Sequence, residues 1–124
     1  MKLQKADSGN KFLIRGYGDG GFRVAGLVQK GAVLVASDYA QPAPVEAFAD
    51  LAHEHIKTMS EALGPLDVLL IGTGQTMLQM PSALRKAFAD ARISVDVMDT
   101  GAAARTYNVL VTEDRQAACL LFPV

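Results

Sequence analysis

The sequence predicts an α/β domain: one compact unit over residues 1–124, with a mixed β-sheet, an N-terminal antiparallel hairpin and about three helices covering the sheet. Three observations carry that expectation. Two short apolar segments flank Asp19-Gly20-Gly21, and Asp-Gly and Gly-Gly supply the positive φ angles that tight hairpins require. From residue 45 onward the chain alternates helix-like and strand-like segments, the pattern of parallel strands joined by right-handed crossovers. Half of the residues are hydrophobic and a fifth are charged, enough apolar surface for 124 residues to build one core.

Taken in order, residues 1–10 are polar and read as a loose segment. Phe12–Tyr17 and Phe22–Gln29 read as the two strands of the hairpin, and an apolar face left exposed there, at Phe22 or Val24, would favour a homodimer. Lys30-Gly31 makes a further turn. Val33-Leu34-Val35 is continuous rather than alternating, as in a strand buried on both faces. The segment "AQPAP" at 40–44 reads as a connector, with Pro44 suited to a first helical turn. Over 45–63, Phe48, Leu51, Ala52, Ile56, Met59 and Leu63 form one helical stripe, stopped by Gly64-Pro65. "LDVLLIGTG" is a strand running into a glycine turn. Pro81 and Ser82 open a second helix, with Leu84 and Phe88 spaced i and i+4. Ile93, Val95 and Val97 alternate as a strand. Thr100 reads as the cap of a third helix over about 101–112, and "RQAACLLFPV" as the closing strand.

Composition narrows the function classes. The formal net charge is −1 and the basic residues are scattered, which argues against a nucleic-acid partner. No apolar run reaches the roughly 18 residues needed to span a bilayer. The first residues show neither a signal-peptide core nor an Arg-rich transit pattern, so a soluble, cytoplasmic protein is the expectation. The single cysteine, Cys119, lies among apolar neighbours and reads as a buried strand residue.

Several motifs invite chemistry and fall short of it. After Gly72-Thr73-Gly74-Gln75 there is no Lys-Ser/Thr for a P-loop, and Met77 stands where a dinucleotide fingerprint needs its third glycine. "GYGDGG" at 16–21 leads into a strand rather than a helix. His53 and His55 are i and i+2, pointing about 200° apart on a helix, so they cannot share a metal. No serine sits in a nucleophile elbow. No metal site, cofactor or catalytic residue is expected.

What remains is the helix in "DTGAAARTYNVLVTEDR", residues 99–115. On a 3.6 period Gly101, Arg105, Asn108 and Thr112 share a face, while Ala103, Tyr107, Leu110 and Val111 lie towards another. An arginine offers five fixed donors and an asparagine offers both signs of partner. Either they bond this fold's own loops, or they line a pocket with the 72–75 turn. The candidate ligand or partner surface is therefore Gly72, Thr73, Gly74, Gln75, Arg105 and Asn108.

These same residues carry a resemblance. Gly72-Thr73-Gly74, Pro81, Met98, Thr100, Ala103, Arg105-Thr106-Tyr107-Asn108, Leu110, Glu113 and Arg115 resemble the pattern of the domain of unknown function 498 family, which includes a mitochondrial complex I assembly factor and uncharacterised bacterial proteins. The resemblance spans essentially the whole domain. Position 96 is Asp where Glu is frequent in that family, and position 114 is Asp where Gly is common. The resemblance implies a compact α/β domain with a mixed sheet and, from the mitochondrial member, assistance in assembly rather than catalysis. It implies no catalytic residues. The functional expectation is a non-enzymatic interaction or assembly-type protein with an unidentified protein partner. The alternative is a small-ligand or anion binder, or an unrecognised enzyme, with its pocket between Gly72–Gln75 and Arg105/Asn108.

Overall fold

The computed structural model describes residues 11–124, so the expectation for residues 1–10 lies outside it. Two sheets form. Strands β1 (Ile14–Gly18), β2 (Gly21–Val24) and β3 (Leu27–Lys30) make an antiparallel meander in that order. The second sheet has the order β5-β4-β8-β6-β7, from β4 (Val33–Ala36), β5 (Tyr39–Pro42), β6 (Val68–Gly72), β7 (Val95–Met98) and β8 (Ala117–Leu121). β5, β4 and β8 pair antiparallel, whereas β8, β6 and β7 pair parallel, so the sheet is mixed as expected.

Two strands were not legible in the pattern. The segment 22–29 is not one strand: Ala25 (φ 54°) and Gly26 (φ 78°) both adopt left-handed backbone and fold it into a second two-residue hairpin. Asp19 (φ 52°) and Gly20 (φ 76°) do the same one hairpin earlier. Alanine carries no turn signal, so its left-handed conformation was invisible. Phe22 and Val24 are buried, not exposed, and the exposed large hydrophobic residues of the meander are Tyr17, Leu27 and Val28. The connector at 40–44 contains β5, an edge strand that ends on Pro42, where a missing N–H costs no ladder bond.

The helix expected over 45–63 is shorter. Residues 48–50 form a single 3-10 turn, Leu51 and Ala52 are extended, and α1 runs His53–Leu63. The apolar periodicity before residue 53 has a different cause: Val45 and Leu51 anchor an extended approach to the sheet. His55 turns back so that its Nδ1 accepts the Ala52 N–H at 3.0 Å, which caps the helix and accounts for that histidine. α2 (Ser82–Asp90) and α3 (Thr100–Thr112) lie where the sequence puts them.

The continuous apolar strands are explained by two covered faces. Leu34, Leu69, Ile71, Ala118 and Leu120 face a core shared with Ile56 and Met59 of α1 and Leu84 and Phe88 of α2. Val33, Val35, Leu70, Cys119 and Leu121 face the opposite core, shared with Phe12, Phe22 and Val24 around the meander and with Ala103, Ala104, Tyr107 and Val111 of α3. β6 steps to β7 through α2, and β7 steps back to β8 through α3. Steps in opposite directions with one hand place those two helices on opposite faces. The chain therefore divides at the carboxyl ends of β6 and β7. No helix among the described residues is long and apolar enough to cross a membrane.

Candidate functional site

The place where neighbouring strands send their loops to opposite faces is where open α/β sheets hold ligands. Here that place is filled by the chain itself. Gly72 ends β6 so close to α3 that a Cβ on it would lie 2.7 Å from Thr100 Cα. Thr100 is fully buried, and its hydroxyl donates to Phe122 O at 2.7 Å while accepting Gly74 N–H at 2.8 Å. Its own N–H goes to Gly74 O at 2.8 Å. Thr100 is thus the first residue of the helix and not its cap. Asp99 caps instead, its Oδ1 accepting Ala102 N–H at 2.9 Å. Two acceptors were adjacent in sequence, and only the contact with Gly72 and Phe122 turns the threonine inward. Thr73 Oγ1 donates to Thr76 O at 2.7 Å and accepts Leu78 N–H at 2.9 Å, which shapes the turn from within.

The two polar residues of the helix face part company. Asn108 accepts Ile14 N–H through Oδ1 at 2.9 Å and donates through Nδ2 to Ile14 O at 2.8 Å. Its amide acts as one residue of an added strand on the edge of β1. Arg105, one helical turn nearer the N-terminus, is exposed, and among the described residues its guanidinium donates to Tyr17 Oη alone, at a long 3.4 Å. Three ion pairs occur among the described residues, Lys11–Asp114, Lys86–Asp90 and Arg115–Asp67, and none includes Arg105.

Tyr17 is the residue that sequence reasoning missed. Its hydroxyl sits over the first turn of α3, where a Cβ on Gly101 would approach it to 2.5 Å. Gly101 therefore leaves room for a phenol from β1. The paired signal was present, a tyrosine amid strand glycines and a glycine at a helix start, but nothing in sequence joins residues so far apart. Tyr17, Gly74, Gln75, Asp99, Gly101 and Arg105 line an open depression of about 210 Å³, with Val124 at its margin. Of the residues expected to share a site, Gly74, Gln75 and Arg105 meet here. Gly72 and Thr73 lie beneath as buried supports, and Asn108 does not line the depression.

Away from the depression, Tyr107 and Cys119 are buried in the core. Tyr107 donates to Phe12 O at 2.6 Å, and burial, with smaller contributions from Cys119 and Asp38, pushes its phenol far above its ordinary range. Burial likewise pushes the Cys119 thiol well up, leaving it protonated and inert. Among the described residues no group of three or more His, Cys, Asp or Glu could hold a metal ion.

The family model described as "protein of unknown function (DUF498/DUF598)" matches residues 14–122. The chain belongs to this family. An uncharacterised protein of Rhodobacter capsulatus is 35% identical over 111 residues, which is 90% of this chain and 84% of that protein. The crystal structure of a protein described as an outer membrane protein of Bartonella henselae is 39% identical, with a TM-score of 0.81 over 93% of this chain and 97% of that one. NADH dehydrogenase [ubiquinone] 1 alpha subcomplex assembly factor 3 of Xenopus tropicalis is 26% identical over 94% of this chain, which spans 64% of that protein's length. The relatives thus include bacterial proteins of unknown function and assembly factors.

Proposed function

We propose that this chain is a non-enzymatic docking domain of the assembly-factor type, presenting the 74–75 turn and the outer face of α3 to a protein partner. One observation carries the reading. At the switch point of the sheet, the N–H groups of Gly74, Thr100 and Ala102 are already engaged by Thr100 Oγ1, Gly74 O and Asp99 Oδ1, so a shallow, exposed shelf stands where other α/β folds open a crevice. Exposed apolar surface adjoins it: Tyr17 and Val124 line the depression, and Met77 and Leu78, both exposed, follow Gln75 in the same loop. Relatedness to assembly factors supports the same reading.

A photo-cross-linking side chain at Gln75 should capture one protein, and the purified pair should bind, with Arg105→Glu weakening it. An equal yield from a cross-linker at Lys57, on the opposite face, would sink the proposal. So would failure of the purified proteins to associate.

A second reading, a small-ligand or anion binder at the same depression, is favoured by its position at the ends of β6 and β7 and by Arg105. It expects ligand-induced increases in melting temperature that Arg105→Ala abolishes. Increases left unchanged in that variant would count against it.

A further inference from the structure

Arg105 is a cation with no carboxylate partner among the described residues, yet its direction is constrained. It is four residues along α3 from Gly101, and Tyr17 Oη lies against both. That hydroxyl is the guanidinium's hydrogen-bond partner among the described residues, and both side chains line the depression. A guanidinium's fork of donors can take a carboxylate bidentately. Gln75, exposed and lining the same depression, offers a donor and an acceptor together, which matches a peptide main chain.

The alternative anion, phosphate, fits less well. Asp99 lines the same depression, and its carboxylate would repel a dianion more than a singly charged group. Thr100 N–H and Ala102 N–H, which could have cradled phosphate oxygens, are already held by Gly74 O and Asp99 Oδ1. The Arg105 guanidinium has no ion-pair partner among the described residues, and its charge complement is a single carboxylate.

We infer that the depression beside Arg105 receives an acidic side chain of a partner protein's peptide segment, with Arg105 pairing its carboxylate, Tyr17 steering the guanidinium and Gln75 bonding the main chain. This rests on the docking reading and adds the chemistry of the partner.

The test uses amide NMR spectra of the full chain titrated with two capped tripeptides, acetyl-Leu-Glu-Leu-amide and acetyl-Leu-Gln-Leu-amide, and with inorganic phosphate. The Glu peptide should move the amide signals of Gly74, Gln75, Gly101 and Arg105, and the Gln peptide should bind about tenfold more weakly. Arg105→Gln should abolish the difference between the peptides, and Arg105→Lys should lose most of it, in spectra that remain dispersed. Gly101→Ala should weaken the Glu peptide by displacing the phenol. Equal shifts from both peptides, shifts by phosphate as large as those of the Glu peptide, or no response at about 10 mM peptide would each overturn the inference. If the peptides fail while the Gln75 cross-link still captures its partner, the carboxylate chemistry is wrong and the docking surface stands. If both fail, the docking reading falls with it.

Discussion

The two faces of the five-stranded sheet are covered by different means. α1 and α2 hold their face through apolar contact, with Ile56, Met59, Leu84 and Phe88 set against Leu34, Leu69, Ile71 and Leu120. α3 and the meander hold the other face through apolar contact and a row of directional bonds. Lys11 bonds Val111 O and Asp114, Phe12 O accepts from Tyr107, Ile14 pairs with Asn108, and Tyr17 rests on Gly101 and Arg105. The segment 11–17 therefore runs along α3 from its last turn to its first. Apolar contact stabilises without fixing register, whereas a hydrogen bond fails when its partner shifts by one residue. The face carrying the candidate site is the face whose geometry is specified bond by bond, which is the condition for holding Tyr17 and Arg105 in place.

Substitutions can break that contrast. The largest loss is expected on the apolar face: Phe88→Ala should cost about 3–5 kcal/mol by cavity formation, read as the midpoint of denaturant unfolding, with no change at the α3 depression. Thr100→Val keeps the shape but strips a hydroxyl from Gly74 N–H and Phe122 O, and should cost about 2–4 kcal/mol. If Thr100→Val proves neutral, the directional contribution to that face has been overstated.

Alkali should also act on the α3 face. Tyr107 and Cys119 are held neutral in the fold, while the unfolded chain ionises them at about 10 and 8.5. Above those values the unfolded state has lost protons that the folded state keeps, so stability present at neutral pH falls as pH rises, by up to about 1.4 kcal/mol per unit for each group. Tyr107→Phe should lose about 1.4 kcal/mol less than the parent between neutrality and pH ~11. Identical slopes in parent and variant would remove the phenol from the account. The smallest effects separate neighbours on one helix face. Asn108→Ala should cost about 1–2 kcal/mol and speed hydrogen exchange at Ile14, whereas Arg105→Ala should stay within about 0.5 kcal/mol. A large loss of stability in Arg105→Ala would make that residue part of the frame and not of the surface.

Much of the fold was legible. Glycine turns marked the first hairpin, helical spacing placed α2 and α3, alternation placed β7, and apolar runs placed β6 and β8, because each residue's signal lies within a few positions of it. What failed did so for local reasons as well. Ala25 gives no sign of its left-handed backbone, and the stripe over 45–52 is periodic without being helical, because an extended segment can also present Val45 and Leu51 to a core. For the candidate site, the sequence brought Gly74, Gln75 and Arg105 forward together. It grouped Asn108 with Arg105 because helical periodicity assigns a face but not what stands opposite.

The sequence by itself determined the α/β class, the order of its last three helices and strands, and that residues 99–115 are unusual for a surface helix. Those features depend on near neighbours along the chain. The tertiary structure alone decided what the unusual residues touch. It set Asn108 and Tyr107 on the backbone of the first strand segment, turned Thr100 inward and Asp99 outward at the helix start, and laid Tyr17 over Gly101 beside Arg105. Each of those contacts except the Asp99 cap joins residues more than twenty positions apart, and their pairing is fixed by how the sheet orders its strands, a property that no window of the sequence contains.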